Sequence, residues 1–113
     1  RGFNNLDANA ISYNNLGNIF LYKNNYEEAL SYFQKAAAIF SNKNLNRLKS
    51  SVLQNITLIN LHLKNYTEAL NSINESIKLR KLFDDLEGIA FCAYLKGKIY
   101  FESRNFQDEI KNL

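Results

Sequence analysis

Asn25-Tyr26-Glu27-Glu28-Ala29-Leu30 returns forty residues later as Asn65-Tyr66-Thr67-Glu68-Ala69-Leu70. A weaker copy, Asn105-Phe106-Gln107-Asp108-Glu109-Ile110, follows after another forty. Other columns hold the same register. Ile19, Ile59 and Ile99 align, as do Leu21, Leu61 and Phe101. Gly17 matches Gly97 with Thr57 between them, and Asn4, Asn44 and Asp84 fall just ahead of each unit's first helix. A fixed period of this length marks stacked supersecondary units, none of which can bury its apolar face alone.

Each unit reads as two helices. Ala10, Tyr13, Leu16, Gly17 and Phe20 recur at spacings of three and four, which puts them on one helical face. Asn24-Asn25 supplies a turn. Tyr26, Ala29, Leu30, Phe33, Ala36, Ala37 and Phe40 then form a second apolar face, and Ser41-Asn42-Lys43-Asn44 is the expected loop to the next unit. The second unit predicts helices near 46–63 and 66–82, and the third near 86–102 and from 105 onward. Before the third unit, Phe83-Asp84-Asp85 offers an aspartate as N-cap. The chain has no proline and four glycines, which favours long helices over many short strands. Gly17, Gly97, Ala29 and Ala69 are expected where the helices of a hairpin approach closely. Cys92 shares a column with Ser12 and Val52, which points to packing. The expected fold is an all-α, right-handed α-solenoid of helix–turn–helix repeats. It forms a single domain over 1–113, with repeats at approximately 5–44, 45–84 and 85–113, the last incomplete. The chain begins without methionine and ends inside an expected helix, so it reads as a fragment of a longer protein.

These residues resemble the tetratricopeptide repeat signature, in which an aromatic, Leu-Gly, Tyr, Ala and Phe recur in order. The first unit carries Tyr13, Leu16-Gly17, Phe20, Tyr26, Ala29, Phe33 and Ala36, with Ser41 at the usual proline. The second has Thr57 at the glycine slot and Asn60 at an aromatic slot; the third has Lys96 and Glu109 where Leu and Ala are usual. The family period of about 34 residues is exceeded by roughly six, expected to lengthen the second helix and the inter-repeat loop. Long repeats of this kind are similar to those of bacterial sensor kinases and peptide-responsive regulators, and Asp85-Leu86-Glu87-Gly88-Ile89-Ala90 is like the segment that opens repeats there.

The resemblance implies a concave groove lined by the first helix of each hairpin. Asn14, Asn15, Asn18 and Tyr22 are expected there from the first unit. Gln54, Asn55, Leu58, Leu61 and His62 follow from the second, and Tyr94, Leu95, Lys98 and Phe101 from the third. A carboxamide offers both donors and an acceptor, so Asn15 and Asn55, one repeat apart, could form a ladder along a peptide backbone. The alternative is that asparagine, eighteen times in this chain, is here plain solvated surface. The basic residues with which some family members clamp a carboxylate are replaced by Asn14, Phe91 and Leu95, which argues against that ligand.

The remaining composition excludes more than it assigns. Hydrophobic residues at 46 % and charged residues at 22 % describe a folding chain rather than a disordered one. The net charge of +3 is dispersed, and Lys98 is the only cation expected in the groove, so nucleic acid is not an expected partner. The densest basic run, Lys78, Arg80 and Lys81, reads as a solvated helix end. No segment approaches the ~20 apolar residues that span a bilayer. One cysteine excludes an internal disulfide and fits a reducing, cytoplasmic setting. With a single histidine and no phosphate loop or metal-ligand spacing, neither catalysis, a cofactor nor a metal is expected. The expected function is a protein- or peptide-binding scaffold within a larger regulatory or signalling protein. The alternative is a structural module that pairs with another copy as a homo-oligomer.

Overall fold

The computed structural model describes residues 5–112. They form five consecutive α helices: α1 (Asn5–Tyr22), α2 (Tyr26–Asn42), α3 (Asn46–His62), α4 (Tyr66–Leu82) and α5 (Leu86–Lys111). Successive helices pack on one another in an elongated array of 60 × 31 × 20 Å. This is a tetratricopeptide-like helical-repeat solenoid. Asn4 lies outside the described residues, as does Leu113.

The four turns are copies of one another at half the sequence period. Asn24, Asn44, Lys64 and Asp84 each adopt a left-handed conformation, with φ of 62°, 55°, 64° and 55°. The residue after each donates its N–H five residues back: Asn25 to Phe20, Leu45 to Phe40, Asn65 to Asn60 and Asp85 to Arg80. The left-handed residue itself donates three residues back, to Leu21, Ser41, Leu61 and Lys81. That pair of bonds is the Schellman stop, which satisfies carbonyls a helix end would otherwise leave open. Helices α2, α3 and α4 are each 17 residues long and are joined by three-residue connectors. The long period therefore resides in the helices. The inter-repeat loop expected over Ser41–Asn44 is not lengthened, because α2 runs through to Asn42.

Asn and Asp tolerate the left-handed region, whereas lysine does so at a cost of about 1–2 kcal/mol. Lys64 offsets part of that by placing its ammonium 5.6 Å from the Phe106 ring centroid, an exposed contact worth about 0.5 kcal/mol. Lys64→Gly is therefore expected to raise stability by about 0.5 kcal/mol, read as a higher urea midpoint. A lower midpoint would mean that the ring contact outweighs the backbone strain.

The core follows the repeat. Ala10, Ala29, Phe33, Ala36 and Phe40 pack with Val52, Leu53, Ile56 and Ile59, joining the first hairpin to α3. Ala69, Ile73, Cys92, Leu95 and Ile99 form the next layer between α4 and α5. At the centre of the first hairpin, a Cβ on Gly17 would lie 2.6 Å from the Phe33 ring. In the second hairpin the same columns hold Thr57 and the smaller Ile73. The Thr57 Oγ1 is hydrogen-bonded to the Leu53 carbonyl and lies 2.7 Å from Ser72 Oγ.

The third unit departs from expectation. α5 continues through the expected turn as one helix of 26 residues. Ala29 and Ala69, both fully buried, mark where the two helices of a hairpin touch. Glu109 occupies that column in the third unit, and a charge cannot be buried there without a partner. Gly97 consequently meets nothing within 4 Å of an added Cβ, so the close approach expected at Gly97 does not occur. Phe106 instead leans on Tyr66, with ring centroids 5.8 Å apart.

Candidate functional site

The first helices bring some of the expected groove residues together. Leu58 and His62 of α3 meet Lys98 and Glu102 of α5 around an open cavity of about 220 Å³, with Leu61 at its floor. The Lys98 ammonium is 4.0 Å from the Glu102 carboxylate, one turn along α5. The His62 ring stacks on Tyr26 at 4.0 Å between centroids, which fixes the imidazole at the edge of the cavity. Along α5, Tyr94 is exposed and contacts the Phe91 ring at 6.0 Å. The face therefore offers an apolar patch, an imidazole, and one cation balanced by one carboxylate.

The other expected residues fall differently. Asn15, Asn18, Tyr22 and Phe101 are exposed, and Asn14 and Asn55 are half-buried. Leu61 and Leu95, expected on the groove, belong to the core at 7 % and 3 % exposure. Leu61 packs in the layer that holds Ala69 and Ile73, and Leu95 faces the preceding hairpin. Gln54 is half-buried, and its Oε1 accepts a hydrogen bond from Arg80 Nη2 at 3.0 Å.

Arg80 corrects a second expectation. It is no solvated helix end but 8 % exposed, at the joint between α3, α4 and α5. Besides Gln54, its Nε donates to Ser76 Oγ at 3.2 Å and its Nη1 to Asp85 Oδ2 at 2.5 Å. Ser76 Oγ donates to the Ser50 carbonyl at 2.9 Å and lies 3.7 Å from Cys92 Sγ. Asp85 caps α5 through its other oxygen, which accepts the Gly88 N–H at 3.0 Å. A Cβ at Gly88 would run into the ends of the Arg80 and Asp85 side chains, so a larger residue there would have to displace that ion pair. The Gly88 N–H, followed by the hydrogen bond and field of Arg80 and the field of Arg47, holds the Asp85 carboxyl below its ordinary value, against the effect of burial. Sequence reasoning missed this cluster, although Arg80 shares a column with the buried Phe40.

A wider cavity of about 430 Å³ opens at the inter-repeat turns, lined by Leu45, Leu48, Leu82 and Phe83, with Arg47 stacked 4.4 Å over the Phe83 ring. It lies away from the expected groove. Among the described residues no group of three His, Cys, Asp or Glu is placed to hold a metal ion. No helix among them is long and apolar enough to cross a membrane.

Paired antiparallel helices, repeated with identical turns, define a helical-repeat protein of the interaction-scaffold class. Residues 10–43 match the tetratricopeptide repeat family, so the first hairpin is a tetratricopeptide repeat, and the second hairpin repeats its helix bounds forty residues on, to within a residue. No curated protein matches the chain. Repeats of this family are in general non-catalytic and serve protein–protein interaction.

Proposed function

We propose that this chain is the protein- or peptide-binding module of a larger, bacterial regulatory or signalling protein, and not an enzyme. The observation that carries the reading is the α3–α5 cavity of Leu58, His62, Lys98 and Glu102, continued by the exposed rings of α5. Apolar anchors beside a few polar groups are what a short peptide segment needs for affinity and register. Asn15 and Asn18 extend the same helix face on α1 as free carboxamides for backbone pairing. Cys92 is fully buried against Ser76, which suits packing and not nucleophilic chemistry. The resemblance of the long repeats to those of bacterial regulators supports the regulatory setting, and a reducing, cytoplasmic one suits the single thiol.

The test is capture from lysate of the source cell by the parent and by two variants of equal helicity: Leu58→Glu/Lys98→Glu and Asn15→Ala/Asn55→Ala. A protein retained by the parent and lost by the first variant supports recognition at the cavity. Loss with the second variant adds the asparagine ladder. A partner kept equally by all three places the binding surface elsewhere and overturns the reading.

A further inference from the structure

α5 contributes six of the twelve large hydrophobic residues that stand exposed among the described ones, including Leu86 at 75 %, Phe101 at 67 % and Tyr94 at 61 %. The repeat register explains what is missing from them. The columns that α1 and α3 present to their hairpin partners are covered: Ala10 and Ser50 are buried, as are Gly17 and Thr57, and Leu61 is 7 % exposed. The same columns on α5 are Ala90, Gly97 and Phe101, and all three are exposed. In the first two units the cover is an antiparallel helix. α5 has none, because it runs straight past Arg104 and is held there by Phe106 on Tyr66.

We propose that α5 of a second copy of this chain covers this face, antiparallel and about a twofold axis centred on Gly97. The face is complementary to itself in that arrangement. Phe101 falls opposite Ala93 of the second copy, and the reverse contact follows from the symmetry, so large sets against small at both ends. The absent Cβ of Gly97 lets the two helices approach at the axis. Arg104 comes opposite Ala90 of the second copy, one turn from that copy's Glu87, which gives two ion pairs across the interface. A partner helix of another sequence would not carry these contacts in reciprocal register. The interface draws in Tyr94 and Phe101, rings that the proposed peptide-binding face also uses, and leaves only the Leu58 and Lys98 cavity outside. The two readings are therefore told apart by their variants: Arg104→Glu for the dimer and Leu58→Glu/Lys98→Glu for peptide capture.

Sedimentation velocity at protein concentrations up to roughly 100 µM tests it, with helicity checked by circular dichroism. The parent is expected to sediment as a dimer. Arg104→Glu and Glu87→Arg are each expected to weaken dimerisation by about tenfold or more, and the two together to restore it, since the charges then meet in reversed order. A parent that stays monomeric throughout overturns the proposal. So does a dimer that both single variants leave intact, or one that the double variant fails to restore. Association with a different protein through this face, with no dimer, also overturns it.

Discussion

Replacing Arg80 with alanine is expected to lower the stability of the fold by about 2–3 kcal/mol, although neither cavity nor exposed helix face is touched. The substitution removes every donor that Gln54, Ser76 and Asp85 receive from the guanidinium. Breaking a buried pair by deleting one member costs about 3–5 kcal/mol when the survivor cannot regain water. Asp85 keeps 29 % side-chain exposure and can be rehydrated, which places the effect at the lower end. Arg80→Met preserves the packing volume in the column of Phe40 and should lose less. Acid provides an independent reading of the same joint. The Asp85 carboxyl is held below its ordinary value of 3.8. Its contribution is therefore complete above that value and is lost as pH falls through the lower, folded one. Urea midpoints measured from about pH 6 to about pH 3 should fall for the parent, and Asp85→Asn should flatten that dependence. An Arg80→Ala protein with an unchanged midpoint would show that the three partners are equally well satisfied by water.

The forty-residue register made the helices, their order and most of the core legible, because apolar spacing and turn residues are local signals. What it did not convey were the contacts that join distant segments. Lys78, Arg80 and Lys81 look alike in sequence, yet only Arg80 turns inward, toward a carboxamide 26 residues away. Reading down the column to Phe40 would have flagged it, since a core position was filled by a cation. The straight run of α5 was hidden for a related reason. Arg104-Asn105-Phe106 keeps enough of the pattern to predict a turn. The decisive change is Glu109, at a position whose burial in the other units only the hairpin geometry reveals. The α3–α5 cavity was legible as far as Leu58, His62 and Lys98. Leu61 and Leu95 went to the core because a helix carries two buried stripes in this array, one for its hairpin partner and one for the preceding unit.

The two hairpins also predict a compensating pair of substitutions. Gly17→Thr alone is expected to destabilise by about 3 kcal/mol, since its Cβ would enter the Phe33 ring at 2.6–2.9 Å in a packed core. Phe33→Ile alone is expected to cost about 2 kcal/mol through the void left above Gly17. Carrying both changes gives the first hairpin the combination that the second already holds in the same columns, Thr57 beneath Ile73. The threonine then fills the space the ring vacated. Its hydroxyl finds the carbonyl of Tyr13 four residues back, as Thr57 finds that of Leu53. The loss in the double variant should therefore fall well short of the sum, with a coupling of about 2 kcal/mol, in the range found for residues in direct contact. Additive losses in chemical denaturation would mean that hairpin spacing is set elsewhere, by Ala29 against α1, and that the glycine and the aromatic do not determine each other. Coupling of the expected size would identify the pair as the element that sets how closely each hairpin closes, and hence how the next unit stacks upon it.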